Sequence, residues 1–203
     1  LLPDLVRQAI ERVPQMPLML HENFTVRLLE MLRTGELDCA IMADPFPDTG
    51  LAVAPLFDEP FVVAVPANHP LAKRQSITTT ELKQETMLLL GAGHCFRDHV
   101  LEVCPEFARF ASDAEGIRKS FEGSSLETIK YMVASGMGVT VVPRLSVPTE
   151  KQPHIKYIPF SKPVPTRRVV LAWRRTFTRY EAIAALRNAI YACALPGVTR
   201  LTA

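Results

Sequence analysis

The densest chemistry in the sequence lies in residues 91–105, Gly-Ala-Gly-His-Cys-Phe-Arg-Asp-His-Val-Leu-Glu-Val-Cys-Pro, which hold Cys95, Cys104, His94, His99, Arg97, Asp98 and Glu102. Read as a helix, Phe96, Val100 and Val103 fall at i, i+4 and i+7, an apolar stripe that would face a core. Gly91 and Gly93 mark a turn ahead of it. Pro105 closes it, because the residue before a proline is driven out of the helical region. Cys95 then opens the helix and Cys104 ends it. Steps of about 100° and 1.5 Å put the two thiols on opposite faces, roughly 13 Å apart along the axis. A disulfide needs Cα atoms within about 7 Å. The pair therefore cannot bond while the stretch is helical, whereas a loop of this length closes easily. A bond forbidden in one conformer and allowed in another has the ingredients of a switch.

Cys95 at a helix N-terminus, beside His94 and Arg97, sits where the thiolate is favoured over the thiol. Thiolate attacks peroxides to give sulfenic acid, which a second thiol converts to a disulfide. Asp98 can orient Arg97 or relay a proton, and its charge also opposes a thiolate. Other readings stand beside this one. Cysteine is among the most buried residue types, so the pair can be two core thiols. A zinc site usually shows two close ligand pairs, and no second pair occurs here. A Cys-His hydrolase wants a histidine set across the fold from the thiol and a third group to orient it. Redox chemistry and core packing both remain open on these residues, ahead of metal binding and hydrolysis.

The elements that must position this stretch belong to a folded chain of 203 residues, 48% hydrophobic and 22% charged, with a net charge of only +2. That balance leaves no electrostatic footprint for nucleic acid across the chain as a whole. No apolar run is long enough for a membrane span, and Leu1-Leu2-Pro3-Asp4 lacks the charged flank and apolar core of a secretory signal. Four cysteines are too sparse for a disulfide scaffold and fit a reducing, cytoplasmic compartment. The first residue is not Met, which suggests an excised fragment.

Helix and strand signals alternate. Leu2 to Val13 has a helical period, with Pro3 in the first turn where proline is tolerated. Met16 to His21 is expected as a short strand. Thr25 is expected to cap a helix over Val26, Leu28, Leu29 and Leu32 that closes at Gly35. Strands are predicted at 37–43, at 51–56 with a break at Asp58-Glu59-Pro60, and at 61–66. A turn at His69-Pro70 and a short helix from Thr80 precede a strand at 87–90. That strand delivers the chain to Gly91, and in open α/β sheets ligand sites gather where strands end and helices begin. Ser124 and Glu127 match a capping box for a helix through Ile129 and Val133. Strands follow at 139–143, 155–158 and 168–173, and a last helix at 180–194. Cys39 and Cys193 are expected as core thiols, and Arg167-Arg168 and Arg174-Arg175 as solvated strand ends.

Gly93-His94-Cys95-Phe96-Arg97-Asp98 with a second cysteine at 104 resembles the redox segment of the hydrogen-peroxide-sensing branch of the LysR-type transcriptional regulators. Gly35-Glu36-Leu37-Asp38-Cys39-Ala40-Ile41, Pro55-Leu56-Phe57-Asp58-Glu59-Pro60, and Ser125-Leu126-Glu127-Thr128 through Gly138-Val139-Thr140 are also similar to that family's regulatory domain. The resemblance implies an α/β fold of two Rossmann-like subdomains of periplasmic-binding-protein type joined by two crossover segments. The first would hold 1–59 plus 164–203. The second, 60–163, would carry the redox cysteines.

It further implies Cys95 as the peroxide-reactive thiol and Cys104 as the resolving thiol. Thr25, Gly93, His94, Arg97 and Asp98 would form the peroxide pocket. No metal, no cofactor and no enzymatic turnover are implied. The expected partners are hydrogen peroxide, a second copy in a homodimer or homotetramer, and promoter DNA, with RNA polymerase as a further candidate and no membrane. The family's first strand and a second pocket threonine would lie upstream of Leu1. The DNA-binding winged helix is absent from this chain, so specific operator binding would belong to the full-length protein. The competing readings are a small-anion effector-binding or solute-binding module with incidental cysteines, and a thiol peroxidase.

Overall fold

Every residue of Leu51–Pro66 except Asp58 and Glu59 is apolar, and the chain there forms one continuous strand, β2. The break predicted at Asp58-Glu59-Pro60 is absent. Its two acidic side chains meet arginines of a later strand, β7 (Thr166–Arg174). Arg167 donates from Nε and Nη2 to Glu59 at 2.9 and 2.8 Å, and Arg168 donates to both carboxylate oxygens of Asp58. Glu59 is 1% exposed, and a charge so deeply buried needs a paired cation. Arg167 is therefore a strand staple and not a solvated end, while Arg168, paired with Asp58 but 49% exposed, remains a solvated strand end as expected.

The computed structural model describes residues 1–47, 50–105, 120–123 and 125–201. It divides into one unit of Leu1–Glu59 with Arg167–Ala203 and a second of Pro60–Thr166. Pro165 goes with the second because its carbonyl accepts the Phe61 amide at 2.9 Å.

In the first unit α1 (Leu2–Arg12) buries Leu5 and Ala9 and packs on α5 (Tyr180–Ala192). Helix α2 (Thr25–Thr34) ends at Gly35, whose φ of +85° is the left-handed conformation that glycine adopts without strain. Thr25 is the first helical residue rather than the cap. Phe24 holds the cap position, with no side-chain bond across the helix end. Leu29 and Leu32 pack with Ala40, Met42, Leu51 and Ala172, closing α2 onto β1 (Cys39–Asp44), which runs antiparallel to β7. Arg174, expected in solvent, donates from Nη1 to the carbonyls of Leu32 and Leu37 at 2.7 and 2.8 Å. The strand predicted at Met16 to His21 does not form. That segment pairs with no strand among the described residues, and Met19 is 85% exposed. A two-residue strand, β8 (Thr199–Arg200), unforeseen in the sequence, pairs with β2 at Phe57 and Asp58.

In the second unit the later half of β2 lies between β5 (Thr140–Pro143) and β6 (Ile155–Pro159), antiparallel to both. Strand β3 (Met87–Leu90), buried at every residue, pairs in parallel with β4 (Ser120–Gly123). Short 3₁₀ turns occupy Pro70–Lys73 and Thr80–Gln84. The capping expected from Ser124 falls outside the described residues. Helix α4 (Leu126–Ala134) is instead capped by Ser125, whose hydroxyl accepts the Thr128 amide at 3.1 Å.

The edge of β3 opposite β4 is held by the chain around Val139. Leu88 donates to the Val139 carbonyl and Val139 to that of Thr86, and the Thr140 hydroxyl donates to the Leu88 carbonyl at 2.7 Å. Gly138 makes this approach possible, since a Cβ there would collide with the carbonyl oxygen of Thr86 and crowd Leu88. Gly138→Ala is expected to destabilise the protein by about 1–3 kcal/mol. Gly91→Ala, where a Cβ meets only ordinary contact, should shift stability by less than about 0.5 kcal/mol. Urea unfolding of both variants checks this, and equal midpoints would refute it.

Candidate functional site

The reactive stretch begins where β3 ends. Gly91 donates the last backbone bond to the Gly123 carbonyl at 3.0 Å. The chain then turns through Ala92 and Gly93, and the φ of +95° at Gly93 is one that a side chain would strain. His94 stands at the cap of α3 (Cys95–Val103), in extended backbone and without a side-chain bond to the helix end. The positive end of the helix dipole thus falls at Cys95, which is half-buried.

Three buried side chains seat α3: Phe96, His99 and Val100. The Phe96 ring meets Phe61 of β2 edge to face, with centroids 5.3 Å apart and planes at 87°, the preferred geometry for an aromatic pair. His99, one of the two histidines of the stretch, lies three residues after Phe96 on the same helix face and is 6% exposed. Arg97 folds back and donates from Nη1 to the Leu90 carbonyl at 2.8 Å, so its charge lies at the end of β3. Asp98, in the first turn of α3, is exposed.

Cys104 closes the helix as its C-terminal cap, donating its amide to the Val100 carbonyl at 2.9 Å. Its side chain is 0% exposed and sits in the second unit's core. Both residues carry thiols, and the nine-residue helix places them roughly 13 Å apart along its axis.

Gly93, His94, Cys95, Arg97 and Asp98 are thus gathered at one helix start in the second unit, and Cys104 at the helix end. Thr25, half-buried at the start of α2, belongs to the first unit. The other two cysteines have different environments. Cys193 is fully buried, its Sγ donates to the Ala189 carbonyl at 3.2 Å, and burial pushes its thiol up. Cys39, expected in the core, is only half-buried. Burial, reinforced by the Asp38 carboxylate, still pushes its thiol up to about 11. Among the described residues no group of three or more His, Cys, Asp or Glu side chains can hold a metal ion. No helix among them is long and apolar enough to cross a membrane.

Residues 1–192 match the LysR substrate binding domain. The chain is 37% identical over 188 residues to the hydrogen peroxide-inducible genes activator of Pectobacterium carotovorum subsp. carotovorum, covering 91% of this chain and 60% of that protein. It has the same identity and coverage with the DNA-binding transcriptional dual regulator OxyR of Escherichia coli strain K12. The chain therefore spans about 60% of the length of these relatives. A reduced form of OxyR from N. meningitidis superposes with a TM-score of 0.92 at 40% identity, covering 100% of this chain and 93% of that one.

The burial pattern sets an order of thiol reactivity. An alkylating reagent applied to the folded protein near pH 8 should label Cys95 first and leave Cys104 and Cys193 protected until denaturant is added. Cys39 should label slowly, and faster as pH rises toward 11, because a raised thiol pKa leaves little thiolate at neutral pH. Peptide mass mapping checks the order, and labelling of Cys104 as fast as Cys95 would refute it.

Proposed function

Because the chain belongs to the LysR substrate binding domain family, we propose that it is the peroxide-sensing regulatory domain of a LysR-type transcriptional regulator, with Cys95 as the sensing thiol and Cys104 as the resolving one. The observation that carries this reading is the helix between them. A half-buried thiol opens α3 and a buried thiol closes it, so Cys95 is open to an oxidant while the helix stands and Cys104 is reached only once it is rebuilt.

The chemistry balances with hydrogen peroxide as the oxidant. The Cys95 thiolate attacks one peroxide oxygen, forming an S–O bond as the O–O bond breaks, and the departing hydroxide takes a proton to become water. Cys104 then attacks the sulfenic sulfur, an S–S bond forms, the S–O bond breaks and a second water leaves. One peroxide and two thiols yield one disulfide and two waters. The second step needs Cα atoms within about 7 Å, so α3 must unwind and Cys104 must leave the core before it proceeds. That obligatory rebuilding turns an oxidation into a change of surface.

His94 and Arg97 stabilise negative charge at the helix start, Gly93 permits the turn that presents Cys95, and Asp98 supplies a proton relay. The relatives' names support the oxidant and the regulatory output. In the full-length regulator the output passes to promoter DNA through an N-terminal domain, in a homodimer or homotetramer in the cytoplasm. RNA polymerase is a further partner. The domain reacts once per signal and has no catalytic cycle of its own.

Brief treatment with low peroxide should remove two free thiols per chain and leave a Cys95–Cys104 disulfide. Cys104→Ser should stop at a Cys95 sulfenic acid that dimedone traps, and Cys95→Ser should lose no thiol. Thiol titration with disulfide mapping reads all three, and an unchanged thiol count in the unsubstituted protein would sink the proposal.

A further inference from the structure

A cavity of about 210 Å³ opens in the second unit, with no lining residue from the redox helix, between α4 and the residues leading into β6. Lys130 lies in its wall with its side chain only 6% exposed, and lysine is almost never so buried unless paired. Its ammonium donates to the carbonyl oxygen of Ser146 at 3.1 Å and pairs with the carboxylate of Glu127 one helical turn earlier. The Glu127 side chain is 70% exposed. One acceptor of the buried cation is thus fixed in the fold, while the other is a solvent-washed group on a rotatable stem. The buried ammonium needs an anion beside it, and the exposed glutamate can swing into solvent when another anion takes that place.

The rest of the wall is suited to a small amphiphile. Ala134, Pro153, Ile155 and the ring of Tyr131 supply apolar surface. Gln152 accepts the Tyr157 hydroxyl on Oε1 at 2.6 Å, which leaves its amide NH₂ as the end able to donate. Burial, with the Glu127 carboxylate adding to it, pushes the Tyr157 hydroxyl up to about 12, so it stays a donor at neutral pH and keeps the Gln152 amide in that orientation. The volume is below that of a site for a drug-sized molecule, which limits the apolar body to about six carbons.

We propose that this cavity binds a small carboxylate with a compact apolar body, which takes the place of Glu127 on Lys130. The exchange swaps one carboxylate for another, so the buried ammonium stays neutralised throughout, and the apolar body gains burial that the glutamate stem lacks. An uncharged molecule of the same shape cannot make the exchange. A small anion without an apolar body gains nothing from the wall.

Titration calorimetry of the whole chain tests this with cyclohexanecarboxylate as probe, cyclohexylmethanol as its uncharged match and inorganic phosphate as an anion without an apolar body. Saturable binding is expected for the carboxylate alone. Glu127→Gln removes the internal competitor and should tighten binding roughly three- to tenfold. Lys130→Met keeps the apolar stem and should weaken binding by about thirtyfold or more. Cys95→Ser should leave binding unchanged, which separates this site from the redox chemistry. No saturation, equal binding of the alcohol, or an affinity unmoved by Lys130→Met would overturn the proposal. Should Lys130→Met fail to fold, Glu127→Gln decides alone, and an affinity that does not rise overturns it.

Discussion

Two sulfurs at opposite ends of one hydrogen-bonded helix cannot meet while that helix stands. Everything about the reactive stretch is subordinate to that constraint. A helix as short as α3, nine residues, is below the length at which helices persist alone in water. It survives because Phe96 and Val100 are buried and because Phe61 offers the Phe96 ring an edge-to-face partner. The separation of the two thiols is therefore held by side-chain packing more than by backbone hydrogen bonds. A disulfide gained at the cost of that packing is a trade between two energies of similar size.

The frame that holds the start of α3 is built from close backbone approach. Strand β3 ends at Leu90, whose carbonyl accepts the Arg97 guanidinium, and the strand is flanked by β4 on one edge and the chain around Val139 on the other. Gly138 is required because nothing larger fits beside Thr86. The Thr140 hydroxyl, 3% exposed, satisfies itself on Leu88, as a buried polar group must. Rigidity is thus invested immediately upstream of the element that the proposed chemistry has to rebuild. Oxidation at Cys95 would then act on α3 without loosening the sheet beneath it.

Much of the local order was legible in the residues. The apolar period of α1, the glycine stop at Gly35, the strand run of 61–66 and the helix between Cys95 and Pro105 follow from patterns that depend only on neighbours in sequence. The misses have one cause. Met16 to His21 has strand composition but pairs with no strand among the described residues, and a strand exists only through its ladder. Asp58-Glu59-Pro60 reads as a break, yet Arg167 and Arg168, more than a hundred residues later, neutralise the acids and let β2 continue. Thr25 is a good capping residue that lies one step past the cap position, which Phe24 holds. Such a single-residue offset at a helix end is not fixed by residue type alone.

The sequence by itself determined which chemistry was available: a thiol at a helix start with His94 and Arg97 nearby, a second thiol at the helix end, and a spacing that keeps them apart as long as the backbone is helical. Those are properties of residue type and helical geometry, which act over a few positions. Only the tertiary structure decided that Cys95 is half-buried while Cys104 is sealed in the core, that Arg97 points back to Leu90, and that Cys39 is partly exposed with a raised pKa. Burial and long-range pairing depend on what other parts of the chain bring to a residue, and no local pattern encodes that.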